Sequence, residues 1–284
     1  MVYLACGDSF SGSKIGDQAF GLKVGAWARF WAQHMRELGK APSQLGVLIY
    51  DEPNNKTQYD LIVAWAKAIE AAAPELVTFE DPQPTEYVDA PVMFQSVDIL
   101  CPYRASFLDR EQKYRDMFLD AQRQGKELWF YNASGPARTF DPYSYYLVQA
   151  WHAFAIGGKG SHFWAFGDNS RVSCWNEYPA EGPGPYCPSY IDETSVTTSK
   201  YMEAVRESAE DFETLTMLQQ RVAELEKKGV KSAQLEAARK LLVDGPQRVL
   251  AGENGSNYRW DVPKDRTVPD QVRIEVLKAL VALK

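Results

Sequence analysis

The sequence predicts an α/β fold of the β/α-barrel type, and three observations carry that prediction. Strand-like and helix-like patterns alternate through the first part of the chain. Each predicted strand ends in polar or aromatic residues followed by a loop. One stretch, QLGVLIYDEP at 44–53, compresses the pattern into ten residues. Its apolar run at 45–50, broken only by Gly46, reads as a parallel strand covered on both faces. The run stops at Asp51 and Glu52, and Pro53 cannot donate to a ladder. Acids at the carboxyl end of an inner strand lie where parallel α/β folds place their sites. A doubly wound open sheet is the alternative architecture, but no Gly-rich phosphate turn follows any strand.

Taken in order, residues 2–6 read as a strand. Residues 22–38 read as a helix with Val24, Trp27, Ala28, Trp31, Met35 and Leu38 at helical spacing, stopped by Gly39. After the 45–50 strand, Thr57 is the expected N-cap of a helix whose inner face is Leu61, Ile62, Trp65 and Ile69, ended by Pro74. Strands follow at 76–79, ending in Glu80 and Asp81, and at 97–101, ending in Pro102, Tyr103 and Arg104. A helix is expected at 108–124 with Gly125 as its stop, then a strand at 127–131, a helix at 144–156 and a strand at 162–166. Trp129, Phe130, Phe163 and Phe166 are expected in the core. A long loop, 167–198, holds Trp175, Tyr178, Tyr186 and Tyr190 and has the length of a functional loop. From Ser199 a long helix carries an apolar stripe, with Arg206, Glu207, Glu210, Asp211 and Glu213 as its expected solvated face. Residues 231–243 and 268–283 read as two further helices.

Composition narrows the function classes. The 284 residues carry a net charge of −7 with no basic block, which argues against nucleic acid as a partner. No run of about 18 apolar residues exists to span a membrane. The cysteines Cys6, Cys101, Cys174 and Cys187 include no C-x-x-C pair, and His34, His152 and His162 are scattered, so no metal site is expected. Cys174 and Cys187 flank a Pro/Gly loop and either pair or stay as two thiols. The N-terminus lacks the basic and long apolar regions of a signal peptide.

The chemistry is read from Asp51 and Glu52. Alternate strand residues point to opposite faces, so both reach one pocket only if the chain leaves strand geometry there, which Pro53 favours. The structural alternative is that one acid caps the next helix or pairs with a lysine. A common retaining glycosidase needs two carboxyls about 5–5.5 Å apart on different strands. The strand end that would supply the second reads Tyr131-Asn132, and Glu127 lies at its amino end. Asp81 and Asp168 are other strand-end acids that nothing in the sequence favours. Neighbouring Asp and Glu fit a substrate-assisted scheme better, in which a 2-acetamido group supplies the nucleophile.

Several motifs then carry a resemblance: DEP at 51–53, DILCPYR at 98–104, ELWFYNASGP at 127–136, W-x-A-F-x-x-G at 151–157, and SKYMEAVRESAEDFE at 199–213. Over residues 21–228 the chain resembles the glycoside hydrolase family 123 β-N-acetylgalactosaminidases and their relatives. The resemblance implies a (β/α)8 barrel without cofactor. It also implies Glu52 as general acid/base and Asp51 as the carboxylate that orients the acetamido group, with a carbohydrate partner. Tyr103, Tyr131, Trp164 and Trp175 are read as sugar-stacking surfaces or core, and Asn132 and Arg104 as hydroxyl ligands or turn residues. One departure is plain. Six strands are visible, so the barrel lacks its first two, and the β-sandwich domain that often precedes them is missing. The expected division is a partial barrel at 1–228 and a helical extension at 229–284. A secreted or periplasmic location follows if the chain is a piece of a longer member. A non-catalytic carbohydrate-binding barrel is the competing reading.

Overall fold

A computed structural model of the protein describes residues 1–170, 173–175, 184–255 and 258–284, so Tyr178 lies outside the described residues. The chain divides into two compact units, residues 1–129 and 130–284.

The first unit opens with strand β1 (Val2–Tyr3) and a small antiparallel hairpin, β2 (Ser9–Phe10) and β3 (Ser13–Lys14). Helix α1 (Gln18–Glu37), strand β4 (Gly46–Leu48), helix α2 (Lys56–Ala72) and strand β5 (Val77–Glu80) follow. Then come α3 (Ala90–Ser96), β6 (Ile99–Leu100), α4 (Arg104–Asp109), α5 (Gln112–Arg123) and the start of β7 (Glu127–Asn132). The pairs β1–β4, β4–β5, β5–β6 and β6–β7 are all parallel, with Val2 opposite Val47, Val47 opposite Thr78, Phe79 opposite Ile99 and Ile99 opposite Glu127. A helix between successive strands makes this parallel order possible. The core includes Val47 of β4 and Ile49 just beyond it, Ile62, Trp65 and Ile69 of α2, Phe94 of α3 and Phe118 of α5.

The second unit completes β7 and continues with a π-type turn at Tyr143–Leu147, helix α6 (Val148–Ala155) and strand β8 (Gly160–Phe163). A hairpin of β9 (Tyr190–Ile191) and β10 (Val196–Thr197) precedes helices α7 (Lys200–Lys227), α8 (Ala233–Val249) and α9 (Val268–Ala282). The three long helices share a core with α6, built from Trp151, Leu215, Leu218, Leu235, Val272 and Val276. Strand β8 takes the place beside β7, giving a six-stranded sheet in the order β1-β4-β5-β6-β7-β8. The architecture is mixed α/β. Among the described residues, no helix is long and apolar enough to cross a membrane.

The structure corrects several expectations. Asn55, not Thr57, caps α2: its side chain accepts the Gln58 N–H at 3.2 Å from an extended backbone. The helix expected at 108–124 is two helices, because Arg110 and Glu111 are extended and Arg110 Nη1 donates to Pro84 O at 2.7 Å. Strand β8 ends at Phe163, so Phe166 falls beyond it and is 48% exposed instead of core. Asp211 is buried, not solvated. It sits on the inner stripe of α7 and accepts from Trp151 Nε1 at 2.9 Å and from Arg273 of α9.

Candidate active site

The site is built where β4 and β5 end. After Leu48 the chain leaves the ladder, and the Ile49 N–H donates to a side chain, Glu80 Oε1, at 3.1 Å. Glu80 is fully buried. Burial pushes its pKa well above the carboxylate range, the charge of Asp81 adds to that, and hydrogen bonds from the Ile49 and Tyr50 N–H groups oppose it. The chain then bends outward, leaving Asp51 and Glu52 exposed. Glu52 adopts φ +48°, the left-handed region that non-glycine residues rarely enter. Its N–H donates to Asp81 Oδ1 at 2.9 Å. Beyond the turn the two strand-end loops run together, with the Gln83 N–H on Pro53 O at 2.9 Å and Thr85 Oγ1 on Asn54 O at 3.1 Å.

Asp81, beside Glu80, is pushed toward neutrality. Burial raises its pKa to about 7, against the Glu52 N–H and with the charges of Asp51 and Glu52. The Tyr3 phenol on β1 is raised as well, by burial first and then by Asp51, Tyr50 and Asp81. Asp51, Glu52, Asp81 and Tyr3 thus share one electrostatic neighbourhood. A carboxyl titrating near neutrality beside two exposed carboxylates suits acid–base work. Among the described residues, no three His, Cys, Asp or Glu side chains gather in a metal-holding arrangement.

Other residues singled out in the sequence fall into two groups. Tyr103 is half-buried just before α4, and Arg104 behind it is wholly buried. In the second unit Tyr131 is 7% exposed and Asn132 is fully buried. Asn132 donates from Nδ2 to Tyr145 O at 2.8 Å and accepts from the Tyr258 hydroxyl at 3.2 Å. Its amide is spent on the interior, so no surface of it is left for a sugar hydroxyl. The two tryptophans are different. Trp164 is 57% exposed, its Nε1 held by Asp168 Oδ2 at 2.7 Å. Trp175 is 54% exposed and stacks on Tyr190 at 4.5 Å. Sequence reasoning named Asp81 as a strand-end acid without favouring it, and passed over Glu80 and Tyr3 as site residues. The available signal was a repeat: two successive strands end in an acidic pair followed by proline, Asp51-Glu52-Pro53 and Glu80-Asp81-Pro82.

The sequence matches no protein-family model and no curated protein. Among solved structures, the chain is similar to a family 123 glycoside hydrolase from Clostridium perfringens, studied for glycolipid glycan hydrolysis. The TM-score is 0.53 at 13% identity, over 95% of this chain and 46% of that one. The chain therefore spans less than half the length of that enzyme. A glycosyl hydrolase family 2 member from Bacteroides cellulosilyticus matches with TM-score 0.32 and 13% identity, over 49% of this chain and 18% of that one, too loosely to carry an argument. The first likeness shows a glycoside hydrolase-like fold.

Proposed function

We propose that the chain is a glycoside hydrolase acting on 2-acetamido-2-deoxy sugars of the β-N-acetylgalactosaminide type by substrate assistance. The observation that carries this reading is the exposed Asp51–Glu52 pair at the carboxyl end of an inner parallel strand, fixed by the hydrogen bond from Glu52 to Asp81. In the proposed cycle Asp51 accepts the acetamido N–H, and the acetamido carbonyl oxygen attacks the anomeric carbon. Glu52 protonates the departing oxygen, then takes a proton from the water that opens the oxazolinium ion. The scheme uses no cofactor. Asp81, with a pKa of about 7, holds its proton below neutrality and so limits the negative charge beside the pair.

Trp164 and Trp175 offer exposed indole faces for the apolar side of a sugar ring. Tyr103 is a further contact in this reading. The six strands are taken as part of a (β/α)8 barrel, with residues 1–228 as the catalytic portion and 229–284 as a helical extension. The fold likeness and the motif resemblance support the reading. The test is hydrolysis of aryl 2-acetamido-2-deoxy-β-galactosides and β-glucosides by the purified chain. Release of the aryl alcohol from either supports the proposal. Binding of the sugar without release indicates a carbohydrate-binding barrel instead.

A further inference from the structure

The loop after β8 carries a second chemical feature. Cys174 and Cys187 are buried, at 3% and 0% exposure, and their Sγ atoms stand 3.1 Å apart. One guanidinium fixes the backbone on both sides. Arg138 Nη1 donates to Cys187 O at 3.0 Å and Ser189 O at 3.1 Å, and its Nη2 donates to Cys174 O. Arg138 is itself buried and lies 4.4 Å from the centre of the Tyr190 ring, which stacks on Trp175. The two sulfurs are thus held in register by a cation that bonds the main chain of both, and they need little movement to join.

We infer that Cys174 and Cys187 form an oxidisable dithiol site that takes a small-molecule disulfide as oxidant and cross-links the Trp175 segment to the Arg138–Tyr190 platform. One protein thiolate attacks a sulfur of the oxidant and releases the first small thiolate. The second protein thiol gives up its proton and attacks the mixed disulfide, and the second small thiolate leaves. Two protein thiols become one disulfide, the oxidant is reduced to two thiols, and the two protons go to the two departing thiolates. Burial, followed by the hydrogen bond and charge of Cys174, pushes the Cys187 thiol up to about 11, with Arg138 opposing. Cys6 and Cys101 lie in the other unit. Burial raises Cys6 to about 12 and Cys101 well above its ordinary value, so they serve as internal controls.

The inference is independent of the glycosidase reading and is tested on the full chain with glutathione disulfide. The reduced protein is incubated with an excess of the oxidant, quenched with acid, unfolded and alkylated. The expected product has two of its four thiols unalkylated, an intact mass lighter by two hydrogens than the reduced protein, and a proteolytic peptide joining Cys174 to Cys187. Thermal unfolding of the oxidised form should move upward, and Cys174→Ser should carry one glutathione in place of the cross-link. Four alkylated thiols, a cross-link through Cys6 or Cys101, or a stable glutathione adduct on the unsubstituted protein would overturn it.

Discussion

The backbone N–H of Glu52 donates to Asp81 Oδ1 at 2.9 Å, tying the end of one inner strand to the end of the next. Glu52 sits at φ +48°, a conformation that costs a non-glycine residue roughly 1–3 kcal/mol. A hydrogen bond to Asp81 contributes about 0.5–1.5 kcal/mol while its carboxyl is protonated and about 1.5–3 kcal/mol once it ionises, which offsets part of that cost in the first state and most of it in the second. Asp81 therefore holds the backbone that aims the proposed acid, and a change at Asp81 acts on Glu52 without touching its carboxyl.

Asp81 also sets a pH signature. Its folded pKa of about 7 lies above the ordinary 3.8, so the folded protein keeps a proton that the unfolded chain has released. Stability from this group is full below about pH 4 and is lost as the pH rises toward about 7. Asparagine does not titrate, yet it still presents Oδ1 to the Glu52 N–H. Asp81→Asn should raise the unfolding temperature at about pH 8 and leave it nearly unchanged at about pH 4. Equal destabilisation at both would show that the raised pKa is not a folding cost. Thermal scans at the two pH values decide it.

A second prediction concerns the approach of α1 to α2. A Cβ on Gly25 would meet the Ala72 Cβ at 2.8 Å, and neither methyl has a rotamer to move into. Alanine gains about 1 kcal/mol of helix propensity over glycine, while overpacking costs about 1–3 kcal/mol. Gly25→Ala should therefore lower stability in urea titration. A rise would mean that the helices separate freely.

The third prediction concerns Asp211. Its carboxylate accepts from Trp151 Nε1 at 2.9 Å and bonds Arg273, whose side chain is 23% exposed. Removing one partner of a buried pair costs about 3–5 kcal/mol, and the partial exposure of Arg273 together with its other partners, Asp270 at 3.0 Å and Glu207 at 3.6 Å, places Asp211→Ala at or below the lower end. Asp211→Leu combined with Arg273→Met should recover part of that loss, because apolar side chains refill the buried volume that Asp211→Ala empties. If the double variant is less stable than Asp211→Ala, the pair itself is the stabilising element. Chemical denaturation of the two variants makes the comparison.

The strand order was legible in the sequence because each buried strand is a short apolar run with a clear stop. Two helix ends were legible as well, since Gly39 and Gly125 adopt φ +69° and +98°, which few other residues tolerate. Asn55 and Thr57 are both good caps, and only the backbone conformation decides between them. Asp211 follows the periodicity of the buried residues Ser208 and Leu215, but its charge argued for solvent, and its partner Arg273 is 62 residues away. Asp51 and Glu52 stood out because they end an apolar run. The burial of Glu80 and Asp81 depends on neighbouring strands, so nothing local to residues 80–81 revealed their shifted titration.

The central claim is the division of labour between Asp51 and Glu52, and kinetics on two substrates of different leaving-group acidity test it most directly. A positioned proton donor contributes on the order of 10²–10⁴-fold in rate. Glu52→Gln should lose that factor on a 2-acetamido sugar with a poor, alkyl-type leaving group and far less on an activated aryl glycoside, which departs with little protonation. Asp51→Asn should slow both, because the acetamido oxygen that Asp51 orients displaces either leaving group in the same step. Equal losses for Glu52→Gln on the two substrates would reject Glu52 as the acid, and full activity of Asp51→Asn would reject substrate assistance.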